Sequence, residues 1–170
     1  MEGSLPPGYK KYGYADPFED YVGPFGYKIE DGKIHFAFRA EPHHANTGNT
    51  LHGGILMTFA DFALCLTAIH GLPDERCVTV SLNCEFTAPG QVGDFIESTA
   101  EVVRRARSLT FVRGTIAAGD RALLNYSGIV KRYIAVKRFE RVHSFLCCCC
   151  GRSHKTNLLF AHRFSAMGSV

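Results

Sequence analysis

The sequence predicts an α+β fold in which a curved antiparallel sheet wraps one long buried helix. Three observations predict it. Residues 55–69 are apolar on every side, interrupted only by Thr58, Asp61 and Thr67, and a helix that is apolar all round is a buried one. Four strand-like stretches follow with only short turns between them, the pattern of an antiparallel sheet rather than of alternating strands and helices. Upstream, Asp31-Gly32 separates two strand-like runs, a strong signal for a two-residue hairpin. The apolar run spans 15 residues, short of the roughly 18 expected of a membrane span, so its burial is inside protein.

In order along the chain, residues 1–14 are polar and carry prolines and tyrosines; they read as a mobile arm able to pack through its rings. Asp16 caps a short helix with Pro17 at its first position, and Gly23-Pro24 ends it. Residues 27–30 and 33–39 form the hairpin. In its second strand Ile34, Phe36 and Phe38 alternate with His35, Ala37 and Arg39, giving one apolar face and an outward His35. Residues 41–51 are a loop rich in polar groups, with His43 and His44 read as surface side chains that diverge. The central helix stops near Gly71, with Pro73 barring continuation. Four strands follow. In residues 77–87, Val78, Val80, Leu82, Cys84 and Phe86 alternate with Thr79, Ser81, Asn83 and Glu85. Residues 95–105 follow the Pro89-Gly90 turn, 109–117 a basic turn at 104–108, and 121–134 the turn at Gly119-Asp120.

Three segments result: an arm and short helix at 1–22, the helix-and-sheet domain at 23–135, and a basic, cysteine-rich tail at 136–170. Residues 1–130 hold 11 Lys and Arg against 15 Asp and Glu, whereas 131–170 hold 8 against 1. The net charge of +3 therefore belongs to the tail, and an acidic domain without interleaved aromatic and basic residues does not read as a nucleic-acid binder. No apolar leader follows the start, and Cys65, Cys77 and Cys84 are scattered as in a reducing compartment. The expected location is the cytosol, with the mitochondrion left open. In the tail, Cys147–Cys150 are consecutive, without the spacing that lets cysteines converge on a tetrahedral metal, so no metal or other cofactor is expected.

Chemistry centres on Asp61. An isolated buried carboxylate is very costly, so this one is paired, wetted at an edge, or kept for a reaction. Just upstream, His52-Gly53-Gly54 leads into the first helical turn, where N–H groups lack intrahelical partners and the dipole is positive. Two glycines leave that end open to a developing oxyanion. Asp61 lies eight residues past Gly53, about 12 Å along the axis. One reacting carbon cannot touch both groups of one subunit, which implies a site completed by a neighbouring copy.

The segment Asn46-Thr47-Gly48-Asn49-Thr50-Leu51-His52-Gly53-Gly54, with Asp61 nine residues after the histidine and later turns at Ala88-Pro89 and Gly93-Asp94, resembles the hotdog-fold acyl-CoA thioesterases of the phenylacetate-pathway (PaaI) and acyl-CoA thioesterase 13 type. The resemblance covers roughly residues 23–133. It implies hydrolysis of acyl-CoA substrates in homodimers or homotetramers, with active sites at the dimer interface. Carried onto this chain, it makes Asp61 the nucleophile or general base, Gly53 the N–H donor to the thioester carbonyl, and Asn46 its helper. Thr79 stands at a hydroxyl position, usually serine, that positions water across the interface. His52 borders the substrate or fixes the loop through its ring nitrogens, and Ser81, Phe86, Arg104 and Arg132 fall where relatives contact coenzyme A. Asn49 replaces a common glycine.

Two other functions fit the same domain. A hydratase or dehydratase pairs a catalytic histidine with an acid, but no aspartate occurs between Gly32 and Asp61, where the hydratase spacing needs one. A non-catalytic acyl-CoA-binding module would have no use for the helix acid.

Overall fold

The computed structural model describes residues 5–134; the expected tail at 136–170 lies outside them. The elements are α1 (Pro17–Val22), β1 (Gly26–Glu30), β2 (Lys33–Arg39), a 3-10 turn (Pro42–His44), α2 (Gly53–Ile69), β3 (Glu75–Phe86), β4 (Phe95–Arg105), β5 (Leu109–Ala118) and β6 (Arg121–Ile134). The strands form a six-stranded sheet in the order β1-β2-β4-β5-β6-β3, every pairing antiparallel. Helix α2 lies against β3, β4, β5 and β6. This is the expected hotdog arrangement of one long helix on a wrapped sheet.

The local causes are those the residues suggest. Asp16 Oδ1 accepts from the N–H groups of Phe18 and Glu19, which fixes the start of α1. Asp31 and Gly32 have φ of 51° and 73°, the paired left-handed values of a hairpin turn whose twist matches its strands. Helix α2 starts at Gly53, two residues before the apolar run, because the His52 ring accepts the Gly54 N–H. Its core face packs Phe59 and Phe62 among Phe25, Phe36 and Phe38, with Phe38 and Phe59 edge to face at 4.8 Å. Burying each such ring contributes about 1.5–3 kcal/mol, so packing holds this helix more than intrinsic propensity does.

Two expectations change. The alternation in β3 groups Val78 and Val80 with Leu82 and Cys84 on one face, yet Val78 and Val80 are 49% and 57% exposed. The pairing with β6 slips between Thr79 and Ser81, leaving Val80 as an extra residue in a β-bulge. Before the bulge Cys77 and Thr79 face the helix; after it Leu82 and Cys84 do. The second change concerns the arm, which is docked. Lys10 and Tyr27 exchange backbone hydrogen bonds, the Tyr9 hydroxyl donates to Glu97, and a Cβ on Gly26 would meet Tyr9 and Leu5 at 2.8 and 3.1 Å. That cover accounts for Ala37, which is buried although it points away from the helix.

Candidate active site

Beyond its first turn, α2 leaves a narrow stripe unburied: Met57, Thr58, Asp61, Cys65 and, at its end, Ile69, spaced to share one side of a helix. Asp61 is half-buried there, and its charge is met from β3. The Thr79 hydroxyl donates to Asp61 Oδ1 at 2.6 Å and lies 3.2 Å from Cys65 Sγ. Thr79, which the resemblance sets to work across the subunit interface, thus touches Asp61 of its own chain, because the phase of β3 ahead of the bulge aims it at the helix. A spacing of four from Asp61 already puts Cys65 on this helical face, and the structure places it there, against Thr79. Its hydrogen bond to Cys77 and its burial hold the Cys65 thiol above the ordinary range, so it stays uncharged and is no rival nucleophile.

At the other end of the stripe, His52 holds φ −64° and ψ 133° and its Nδ1 accepts from Gly54 N–H at 2.9 Å. His52 is therefore the helix cap. Among the described residues the Gly53 N–H has no partner, and a Cβ on Gly53 would lie 3.1 Å from the Phe86 ring, so Phe86 packs on the Cα side of Gly53.

The loop before the helix is built by its own side chains. Asn46 Oδ1 accepts from Gly48 and Thr50 N–H, and its Nδ2 donates to Thr50 Oγ1; within the chain Asn46 organises the loop. Asn49 takes φ 59°, a left-handed value asparagine tolerates, so the turn survives the loss of glycine. The expectation for His44 is corrected. It is 4% exposed, its Nδ1 accepts from Glu41 N–H and its Nε2 donates to the Val22 carbonyl. Its ring sits 3.9 Å from that of His43, so the two converge. Burial lowers its pKa and keeps it neutral as a tie between α1 and the loop. Leu51 N–H then bonds to Gly90 O, pinning the helix entry to the 88–94 turn.

The expected coenzyme contacts scatter. Ser81 sits opposite Ile129 on the far side of the bulge. Arg104 lies on β4 beyond a second slip at Val102, three strands from β3, with no ion pair among the described residues. Arg132 is corrected to a structural position: it is 7% exposed, donating to Glu75 at 2.6 Å and to the carbonyls of Ala106 and Arg107.

Against known proteins, the model of the thioesterase superfamily matches residues 48–124. A Pseudomonas aeruginosa protein named "Putative esterase PA0474" is 30% identical over 128 residues, 74% of this chain and 96% of that protein. The chain belongs to the thioesterase superfamily. Human acyl-coenzyme A thioesterase 13 is 33% identical over 80 residues, 47% of this chain and 57% of that one. The crystal structure of Bacillus halodurans BH2602, solved with CoA, superposes with a TM-score of 0.66 at 21% identity, covering 74% of this chain and 83% of that one, and shares the fold. Among the described residues no helix of this thioesterase-superfamily chain is long and apolar enough to cross a membrane.

Two predictions arise from the site's surroundings. Arg132→Met strands the Glu75 carboxylate and two carbonyls, and with Glu75 partly wetted the expected cost is about 2–3 kcal/mol, read from the urea midpoint. An unchanged midpoint would remove Arg132 from the framework. Glu19 on α1 is pushed up to about 7 by its burial and by the nearby charges of Asp16, Asp61 and Asp20. Its folded pKa exceeds its ordinary 4.5, so the stability it contributes is complete below that ordinary value and is lost as pH rises through about 7. Glu19→Gln should therefore stabilise the protein at pH 8, by about 1 kcal/mol once solvent screening is allowed for, and have no effect at pH 4. Equal midpoint shifts at both pH values would contradict this.

Proposed function

We propose that this protein hydrolyses acyl-CoA thioesters to the free acid and CoA, at sites shared between two copies in a homodimer or homotetramer. The observation that carries the reading is the Asp61–Thr79 pair at 2.6 Å on the open stripe of a buried helix. Superfamily membership, a relative named acyl-coenzyme A thioesterase 13 and a fold neighbour solved with CoA support the substrate class.

In this reading the thioester oxygen lies against the Gly53 N–H of one copy, where the helix start polarises the carbonyl. Asp61 of the other copy takes a proton from water as that water attacks the carbonyl carbon, or attacks the carbon itself to form an anhydride that water then opens. The tetrahedral intermediate collapses by breaking the carbon–sulfur bond, and the CoA thiolate leaves with a proton. Thr79 orients the Asp61 carboxylate.

The test incubates the purified chain with saturated and α,β-unsaturated acyl-CoA, following free thiol and double-bond absorbance together. Thiol release from both substrates supports hydrolysis. Loss of the double bond without thiol marks a hydratase, and tight binding with neither signal marks a binding module.

A further inference from the structure

A cavity of about 710 Å³ opens between α1 and the start of α2, walled by Phe18, Tyr21, Val22, Pro42, Ile55 and Thr58. It falls within the roughly 300–1,000 Å³ typical of small-molecule sites. Phe18 and Tyr21 are 60% and 84% exposed, on a six-residue helix with no fully buried side chain, so two rings stand open beside the cavity. The only acid on the wall, Glu41, lies at 3.6 Å from His43. The inner wall is continuous with the candidate active site: Thr58 donates to the Gly54 carbonyl, and both share the stripe that carries Asp61 one turn further on. The wall residues Gly54 and Ile55 directly follow Gly53, whose N–H holds the carbonyl in the reading above, so the cavity opens beside that carbonyl in the same copy.

We propose that this cavity receives the acyl tail of the thioester held at the Gly53 N–H of the same copy, and that Phe18, Tyr21 and Thr58 set a preference for apolar acyl groups long enough to fill it. The proposal rests on the hydrolytic reading above and names its acyl specificity. The walls carry no lysine or arginine, and of their three histidines His44 and His52 are engaged by the Val22 carbonyl and the Gly54 N–H while His43 faces Glu41. Apolar chains gain by burial, at about fourfold per methylene, until the space is filled.

The experiment has two readouts. The first is kcat/KM for acetyl-, butanoyl-, hexanoyl-, octanoyl- and phenylacetyl-CoA with wild type, the surface double variant Phe18→Ala with Tyr21→Ala, and Thr58→Phe, which fills the cavity. The octanoyl-to-acetyl ratio of wild type should fall at least tenfold in both variants; a ratio within twofold of wild type in both overturns the proposal. A phenylacetyl preference that falls in parallel would show that the cavity takes aryl ends too.

The second readout does not depend on turnover. The chain contains no tryptophan, so Tyr21→Trp places a single reporter on the rim. The non-hydrolysable thioether S-octyl-CoA should shift and blue-shade its emission, whereas CoA alone should not. A shift without thiol release from any substrate keeps the cavity and removes the hydrolytic reading. Hydrolysis of octanoyl-CoA with no shift keeps that reading and removes the cavity.

Discussion

Asp61→Asn should lower kcat for acyl-CoA hydrolysis by about 10³-fold while leaving the fold intact. The substitution keeps size and shape, and the Thr79 hydroxyl can still donate to the side-chain oxygen that now replaces Asp61 Oδ1. What it removes is the ability to take a proton or to form the acyl bond. Positioned general bases typically contribute 10²–10⁴-fold, so the expected loss is about 4 kcal/mol of transition-state stabilisation. Thiol release and a circular-dichroism melt measured on the same sample decide it. Activity within tenfold of wild type, with an unchanged melt, would end the assignment of Asp61.

The second large effect belongs to Gly53→Pro. Proline is tolerated at the first position of a helix, where its missing N–H would bond to nothing in the helix. The residue before it must be extended, and His52 already holds φ −64° and ψ 133°. The Gly54 N–H to His52 cap is untouched by the change, and the Phe86 ring, half exposed, has room to swing from the new ring. The variant therefore deletes one hydrogen-bond donor with little else. Loss of a single oxyanion donor costs about 10²–10³ in kcat; a kcat within threefold of wild type would place the donor elsewhere.

Together the two variants test whether the site is shared. If Asp61 of one copy works with Gly53 of another, co-refolding equal amounts of the two inactive proteins restores one intact site in each mixed dimer, about a quarter of wild-type activity for random pairing. A site made within one chain regains nothing. The spacing of about 12 Å between the two positions is what makes the first result the expected one.

Much of the architecture was legible because it rests on period. The all-round apolar stretch at 55–69 became α2, and the runs at 95–105 and 121–134 became β4 and β6 without a change of boundary. Asp61 was legible for a related reason, being a charge where the pattern forbids one. Side-chain partnerships that depend on distant backbone were not. His44 looked like a surface histidine because its partners, Glu41 N–H and the Val22 carbonyl, are groups every residue has. Arg132 looked free because its burial comes from a turn 25 residues upstream. Glu19 gave no sign that folding would bring it under the field of Asp61.

The inward turn of Thr79 was illegible for a third reason, since alternation gives the phase of a strand only while no residue is out of step. Val80 is that residue, and its presence divides β3 into two halves with opposite bookkeeping of odd and even positions. Length changes are therefore not equivalent along this chain. Losing Val80 would remove the bulge and join the two halves into one unbroken alternation in which Thr79, Leu82 and Cys84 still face the helix, whereas a second extra residue between Thr79 and Leu82 would send Leu82 and Cys84 to water and Asn83 and Glu85 against the helix. Natural versions of this domain should accordingly tolerate loss of Val80 more readily than an insertion between Thr79 and Leu82.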